Sequence, residues 1–145
     1  ITSIGHSKLL FCIPLYAANY EQHDYIVGSN GAFVDTIKGI FNLFRMRQLV
    51  EIRTVLFSKT IGNIKLLADY ISRNLPFVRH VAIMGMEYSG YAAKNSEEFW
   101  IDPFDYKGIL DSAALSLHRR GMMTSIYNIP FWYYSSHVSL FMKVL

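Results

Sequence analysis

The sequence contains one cysteine, Cys12, among its 145 residues. A single thiol excludes a disulfide within the chain, and sparse cysteine is typical of proteins in a reducing compartment. No signal-peptide pattern is visible. A cytoplasmic location is therefore predicted. Cys12 lies in an apolar segment without flanking residues typical of a catalytic thiol, so it is predicted to be a buried small hydrophobe rather than a nucleophile.

The sequence also has few charges and no long apolar run. Charged residues make up 17% of the chain and hydrophobic residues 52%. The segment from Leu9 to Ala18 is apolar but contains Pro14, and a membrane-spanning helix needs roughly 20 apolar residues. No contact with a membrane is predicted. The short apolar runs instead indicate strands that are buried on both faces of a sheet.

Patterns for nucleic-acid, metal and phosphate binding are missing as well. The net charge is +3, and the one tight basic pair is Arg119 with Arg120, so nucleic acid is not a predicted partner. The five histidines lack the close spacing of zinc ligands, and no metal site is predicted from these residues. The segment GSNGAF lacks the spacing of a phosphate-binding loop.

What is present is an alternation of apolar strands and amphipathic helices. The predicted strands are 9–16, 50–57, 78–86 and 122–127, and the predicted helices are 32–48, 62–75 and a third that begins at the cap Asp102 and stops before Gly121. Ser29 or Asn30 is the predicted cap of the first helix. Residues 17–31 and 87–101 are predicted to be polar loops.

This order, β-α-β-α-β-α-β, predicts an α/β fold with parallel strands and right-handed crossovers. It fits either a partial (β/α) barrel or part of an open doubly wound sheet. A complete barrel needs about 250 residues, so the chain is too short to close one. Residues 1–128 form the predicted barrel-like domain, and residues 129–145 an atypical aromatic-rich tail that includes the cluster Phe131–Tyr134. Because the chain begins with Ile1 rather than Met, it is predicted to be a fragment.

Two charged residues on the predicted strands are the candidates for a site. Arg53 lies within the second strand, and Glu87 follows the third. A buried arginine requires a partner, which could be Glu51 or Glu87 in a purely structural ion pair. Alternatively, Arg53 contacts an anionic group of a ligand, and Glu87 contacts a hydroxyl or ammonium group. Gly90 would allow the backbone to approach such a ligand closely.

Several segments together resemble a known family. HDYIVGSNGAFVDTIKGIFNL, VEIRTVLFSK and HVAIMGMEYSGYA are similar to the second half of the radical S-adenosylmethionine (SAM) barrel. The similarity is greatest to the maturases of His-Xaa-Ser peptide systems, and it extends from about Gly5 to Asn128. The resemblance implies a partial TIM-type barrel that takes part in peptide maturation.

The resemblance also implies cofactors, a substrate and site residues. In this family an iron-sulfur [4Fe-4S] cluster cleaves SAM to a 5'-deoxyadenosyl radical, which abstracts hydrogen from the substrate, here a peptide. Arg53 would bind the carboxylate of SAM. Glu87, Tyr88 and Asn128 would face SAM or the peptide. No catalytic residue is assigned.

The chain departs from the family in one important respect. The family holds its cluster with a C-x3-C-x2-C loop, and this chain has one cysteine outside such a loop. The ligands would lie upstream, so a cluster is expected only in a full-length protein, and truncation or a frame shift would explain the pattern.

The alternatives are a non-catalytic SAM- or peptide-binding module and an unrelated small-molecule-binding α/β domain. The isolated chain is predicted to self-associate through unpaired strand edges.

Overall fold

The protein is described by a computed structural model that covers residues 9–129 and 142–144. Within these residues five parallel strands form one sheet in the order β1-β2-β3-β4-β5. The strands are β1 (Leu10–Pro14), β2 (Leu49–Leu56), β3 (His80–Gly85), β4 (Met123–Tyr127) and β5 (Met142–Val144). The predicted α/β class with parallel strands is confirmed. The sequential order has no reversal of the kind that defines a doubly wound sheet.

The described residues also form six α-helices and a short 3-10 turn. The helices are α1 (Tyr20–Val27), α2 (Ala32–Arg45), α3 (Ile64–Asn74), α4 (Gly90–Lys94), α5 (Ser96–Phe99) and α6 (Pro103–His118), and the 3-10 turn is Ile61–Asn63. Asp102 caps α6 by accepting a hydrogen bond from the Phe104 amide at 2.9 Å, as predicted. None of the described helices is both long and apolar enough to cross a membrane.

The helices α2, α3 and α6 cover one face of the sheet. Strand residues alternate between two faces, and right-handed crossovers between neighbouring parallel strands place every crossover helix on the same side. The buried core joins alternate strand residues to these helices: Leu15, Ile52, Leu56, Val81, Ile83 and Ile126 from the strand side, with Ile40, Leu67, Ile71, Leu110 and Leu117 from the helices. We call this the covered face, and the opposite side the open face, because α2, α3 and α6 bury their apolar side chains against the first.

Both segments that were predicted to be polar loops contain helices, so those predictions were wrong. Helix α1 buries only His23, and α4 and α5 bury no residue, so their sequences carry no apolar stripe. The signals for α1 were its caps. Asn19 accepts a hydrogen bond from the Gln22 amide, and Gly28 adopts the left-handed conformation at φ 74°.

The predicted cap of α2 was also wrong. Neither Ser29 nor Asn30 caps this helix, and Gly31 occupies the cap position. The carboxylate of Asp24 on α1 accepts hydrogen bonds from the amides of Gly31 and Phe33 at 2.6 and 2.7 Å. A side chain from the preceding helix therefore satisfies the free amides at the start of α2.

Strand β5 lies within the segment predicted to be an atypical tail, residues 129–145. It pairs with β4 in parallel register, with Ser125 opposite Lys143. The sequence pattern did not predict this strand, since it consists of three residues. The aromatic cluster Phe131–Tyr134 lies outside the described residues.

Candidate functional site

Polar side chains gather on the open face of the three central strands. Cys12, Glu51 and His80 are register partners on β1, β2 and β3. Arg53 lies two residues further along β2, opposite Ala82, which is itself opposite Ser125 on β4. Because side chains two residues apart on a strand share a face, all of these groups project from the same side of the sheet.

Four of these residues form one hydrogen-bonded network, which we call the open-face network: Glu51, Arg53, His80 and Ser125. Arg53 donates from Nε to Glu51 Oε1 at 2.6 Å, and His80 Nδ1 contacts Glu51 Oε2 at 2.5 Å. His80 Nε2 contacts the hydroxyl of Ser125 at 2.8 Å. The partner of Arg53 is therefore Glu51 and not Glu87, which answers the question of which predicted ion pair forms.

The electrostatics of the network favour charged Glu51 and charged Arg53. Burial alone would raise the pKa of Glu51, but the hydrogen bond from Arg53 and the charge of His80 outweigh it and hold that pKa below its usual value. The pKa of Arg53 is raised, chiefly by its hydrogen bond to Glu51. The Glu51 side chain is 4% exposed, whereas that of Arg53 is 44% exposed. The network thus has a buried anion at its centre and a cation at its accessible end.

Cys12 is exposed, so the prediction of a buried thiol was wrong. Its neighbours Phe11 and Ile13 face the other side of β1. Because nearly every residue of this strand is apolar, the sequence did not show which residues face the helices. Partial burial and the adjacent Glu51 carboxylate raise the pKa of Cys12. The thiol is therefore kept protonated, which does not favour a role as a nucleophile.

An apolar cavity of about 490 Å³ adjoins the network toward the carboxyl ends of the strands. Its lining includes Pro14, the register partner of Arg53, and Val55, the next residue after Arg53 on the same face of β2. The remaining lining residues are Tyr16, Ile26, Val27, Phe57 and Met86. Two close neighbours of Arg53 on the open face thus line an apolar space at the end of the sheet where parallel α/β folds bind ligands.

The other three predicted site residues lie together at the carboxyl ends of β3 and β4. Asn128 donates from its amide nitrogen to Glu87 Oε1 at 3.1 Å, and the Tyr88 hydroxyl donates to the Phe99 carbonyl at 3.4 Å. Tyr88 and Asn128 line a second cavity of about 180 Å³. Asn128 has a positive φ of 56°, a conformation that asparagine tolerates better than most residues.

The predicted site residues therefore divide into two places. Arg53 lies on the open face, whereas Glu87, Tyr88 and Asn128 lie around the second cavity. Met86 lines both cavities, so the two adjoin. His80 and Ser125 were not singled out from the sequence. The available signal was their position, since each is a polar residue on a strand, on the face that also carries Arg53.

The donors for a metal centre are sparse in this chain. Residues 9–129 and 142–144 contain no group of three or more histidine, cysteine, aspartate or glutamate side chains arranged to hold a metal ion. The whole sequence has one cysteine. These residues do not fit a [4Fe-4S] cluster held by three thiolates, and such ligands would have to come from elsewhere.

Comparisons of the chain with protein-family models, with curated proteins and with solved structures gave no match. The fold and the open-face network are therefore the basis for any functional argument.

Proposed function

We propose that the chain is part of a radical SAM (β/α) barrel, and that the open face of its sheet binds SAM. The observation that carries the proposal is the half-exposed Arg53 side chain, which Glu51 holds on the open face and whose neighbours Pro14 and Val55 line the apolar cavity. The sequential order of parallel strands, with helices on one face, is the arrangement from which such barrels are built. In a barrel the open face would be the interior.

The residues fit the parts of SAM in a simple way. Arg53 supplies N–H donors for the carboxylate, and a guanidinium suits such a planar anion. The apolar cavity offers a surface for the adenine ring. Glu87 and Asn128, at the same edge of the sheet, offer an acceptor and a donor for the ammonium group or the ribose hydroxyls.

The radical chemistry itself is not assigned to residues of this chain. In the radical SAM class, reductive cleavage of SAM at an iron-sulfur cluster supplies the radical that attacks the substrate, and the single cysteine here does not provide the ligands. A peptide substrate and a cytoplasmic location belong to the proposal through the family resemblance. Self-association belongs to it through β1, whose described hydrogen-bonded neighbour is β2 alone.

Equilibrium binding of SAM to the 145-residue chain tests this proposal. We expect measurable binding that weakens about tenfold or more in Arg53→Ala, since hydrogen bonds to charged groups contribute about 1.5–3 kcal/mol. Arg120→Ala is the matched control, because Arg120 is exposed at the end of α6 on the covered side, and we expect no change. Absence of SAM binding, or equal affinity of Arg53→Ala and the parent chain, would contradict the proposal.

A second candidate function is a non-catalytic module that binds SAM or a peptide. The observation that favours it is the lack of thiolate ligands in this chain. Anaerobic reconstitution of a longer natural protein that contains this chain, followed by iron and sulfide analysis, distinguishes the two. Stoichiometric cluster uptake would support the enzyme, whereas SAM binding without iron would support the binding module for this chain.

A further inference from the structure

The open-face network fixes the position of Glu51 from two sides. One carboxylate oxygen accepts from Arg53, and the other contacts His80, whose second ring nitrogen contacts Ser125. The four side chains thus connect β2, β3 and β4 across the face. A carboxylate with both oxygens occupied has little freedom to rotate, so the guanidinium that it holds is confined as well.

The two ends of the network differ in exposure, and the Glu51 carboxylate between Arg53 and His80 is buried. The Arg53 side chain is 44% exposed, that of His80 is 21% exposed, and Ser125 is 2% exposed. Arg53 donates to Glu51 from Nε, and the guanidinium carries further N–H donors on its two terminal nitrogens. The accessible end of the network is therefore a set of N–H donors, and the buried end is a hydroxyl.

We propose that His80 and Ser125 are positioning residues, which hold Glu51 in the orientation that directs Arg53 toward the carboxylate of a bound ligand. This inference rests on the proposed SAM site and extends it to residues that do not touch the ligand. The carboxylate of Glu51 can only accept, so it requires a hydrogen on Nδ1 of His80, and the Ser125 hydroxyl holds the other end of the ring at Nε2.

The same order of contacts occurs in Ser-His-carboxylate catalytic triads, but this environment does not suit acyl transfer. Ser125 is buried in the middle of β4, which pairs with β3 on one side and β5 on the other. Backbone N–H groups there are used in the two strand ladders and do not form an oxyanion hole. The geometry therefore favours positioning over nucleophilic attack.

The test compares two ligands that differ in the group that Arg53 would bind. S-adenosylhomocysteine carries the amino-acid carboxylate, and methylthioadenosine keeps the adenosine part without it. A positioning residue affects the first ligand and not the second. A residue that merely supports the sheet affects both, because both use the apolar cavity.

Two substitutions of His80 separate its two hydrogen bonds. The amide nitrogen in His80→Asn occupies the place of Nδ1 and can still donate to Glu51. The amide in His80→Gln extends to the place of Nε2 and loses that contact. We expect His80→Gln to weaken S-adenosylhomocysteine binding about tenfold, the loss of one charge-assisted interaction. We expect His80→Asn to stay within about threefold of the parent chain. Methylthioadenosine affinity should be unchanged in both.

Ser125→Ala should weaken S-adenosylhomocysteine binding by a smaller factor, about threefold, because the His80 ring loses its contact at Nε2 and is held less firmly. Ser112→Ala is its matched control, since that hydroxyl donates to the Gly108 carbonyl within α6, away from the open face. We expect the control to bind both ligands as the parent chain does.

Each result has a defined meaning. If the parent chain binds S-adenosylhomocysteine and His80→Gln binds it equally well, the positioning role is wrong and the proposed site stands. If His80→Gln loses both ligands together, the network supports the sheet and the positioning role is again wrong. If the parent chain binds neither ligand, the proposed function and this inference both fail.

Discussion

The covered face and the open face of the sheet differ in chemistry although they alternate along the same strands. On β2, Ile52 and Leu56 lie on the covered face and are at most 1% exposed. Glu51 and Arg53, the residues on either side of Ile52, lie on the open face, and their charges are paired with each other. The difference arises because side chains alternate with a period of two, and every crossover helix lies on one side.

This comparison suggests a division of roles between the two faces. The covered face removes apolar side chains from water, which is the main favourable term in folding. The open face keeps a buried carboxylate with its partners, and a buried ion pair is a weak source of stability. Stability should therefore depend on the covered face and ligand binding on the open face.

The largest expected effect comes from truncating one side chain on each face of β4. Ile126 on the covered face is 0% exposed, and Met123 on the open face is 57% exposed. Ile126→Ala should lower the free energy of unfolding by about 2–5 kcal/mol, because it removes buried methyl groups and leaves a cavity. Met123→Ala should change it by about 0.5 kcal/mol or less. Urea unfolding measures both.

Equal losses of unfolding free energy in Ile126→Ala and Met123→Ala would contradict the proposed difference between the two faces. They would mean that the open face is also covered in solution, for example by a second copy of the chain. Repeating the measurement over a range of protein concentrations would identify such association, since the stability of a dimer depends on concentration.

The second effect concerns Gly85, where the covered face reaches the second cavity. A Cβ at Gly85 would lie 2.4 Å from the Asn128 carbonyl oxygen, so the backbone would have to shift. Gly85→Ala should destabilise the protein by about 1–3 kcal/mol through overpacking. Urea unfolding tests this, and an unchanged midpoint would show that residue 128 moves aside without cost.

The strand pattern was predictable from the sequence because burial imposes a clear signal. Apolar runs located β1 to β4 within a few residues, and Asp102 identified the start of α6. Pro14 was correctly expected near a strand end, since it is the last residue of β1. These features depend on local sequence, which a single chain contains.

The open-face network was not predictable in the same way. Glu51, His80 and Ser125 are separated by 29 and 45 residues, and only the strand register brings them together. The exposure of Cys12 was missed because it depends on which face the helices cover. The open-face network and the exposure of Cys12 both depend on the order of strands in the sheet, which local sequence does not encode.

The third effect is a dependence of stability on pH that differs between two buried groups. His23 on α1 is 1% exposed, and its Nδ1 accepts a hydrogen bond from the Tyr16 amide at 3.2 Å. Burial lowers the pKa of His23, with the charge of Asp24 acting in the opposite direction. The unfolded chain therefore binds a proton more readily, and stability should fall as the pH drops below about 6.5.

Glu51 should act in a lower pH range. Its pKa is also lowered in the folded state, because the interactions with Arg53 and His80 outweigh the effect of burial. The stability that it contributes is present above its unfolded pKa of about 4.3 and is lost as the pH falls through its folded value. Acid should thus affect the protein in two successive ranges, first through His23 and then through Glu51.

Two substitutions separate these ranges in urea unfolding measured from neutral to acidic pH. His23→Asn keeps an acceptor for the Tyr16 amide and removes the titrating ring, so the loss below about pH 6.5 should flatten. Glu51→Gln should leave that loss intact and reduce the loss of stability at lower pH, where Glu51 titrates. If His23→Asn retained the slope of the parent chain, the source of the upper range would lie in another group.

The smallest expected effect lies on the outer surface of the covering layer. Gly39 is exposed in the interior of α2, and no atom lies within 4 Å of a Cβ built there. Gly39→Ala should therefore stabilise the protein by about 0.5–1 kcal/mol, since alanine loses less conformational entropy in a helix than glycine. The urea midpoint should rise without a change in slope. A lower midpoint would show that this side of α2 contacts another part of the chain or a second copy in solution.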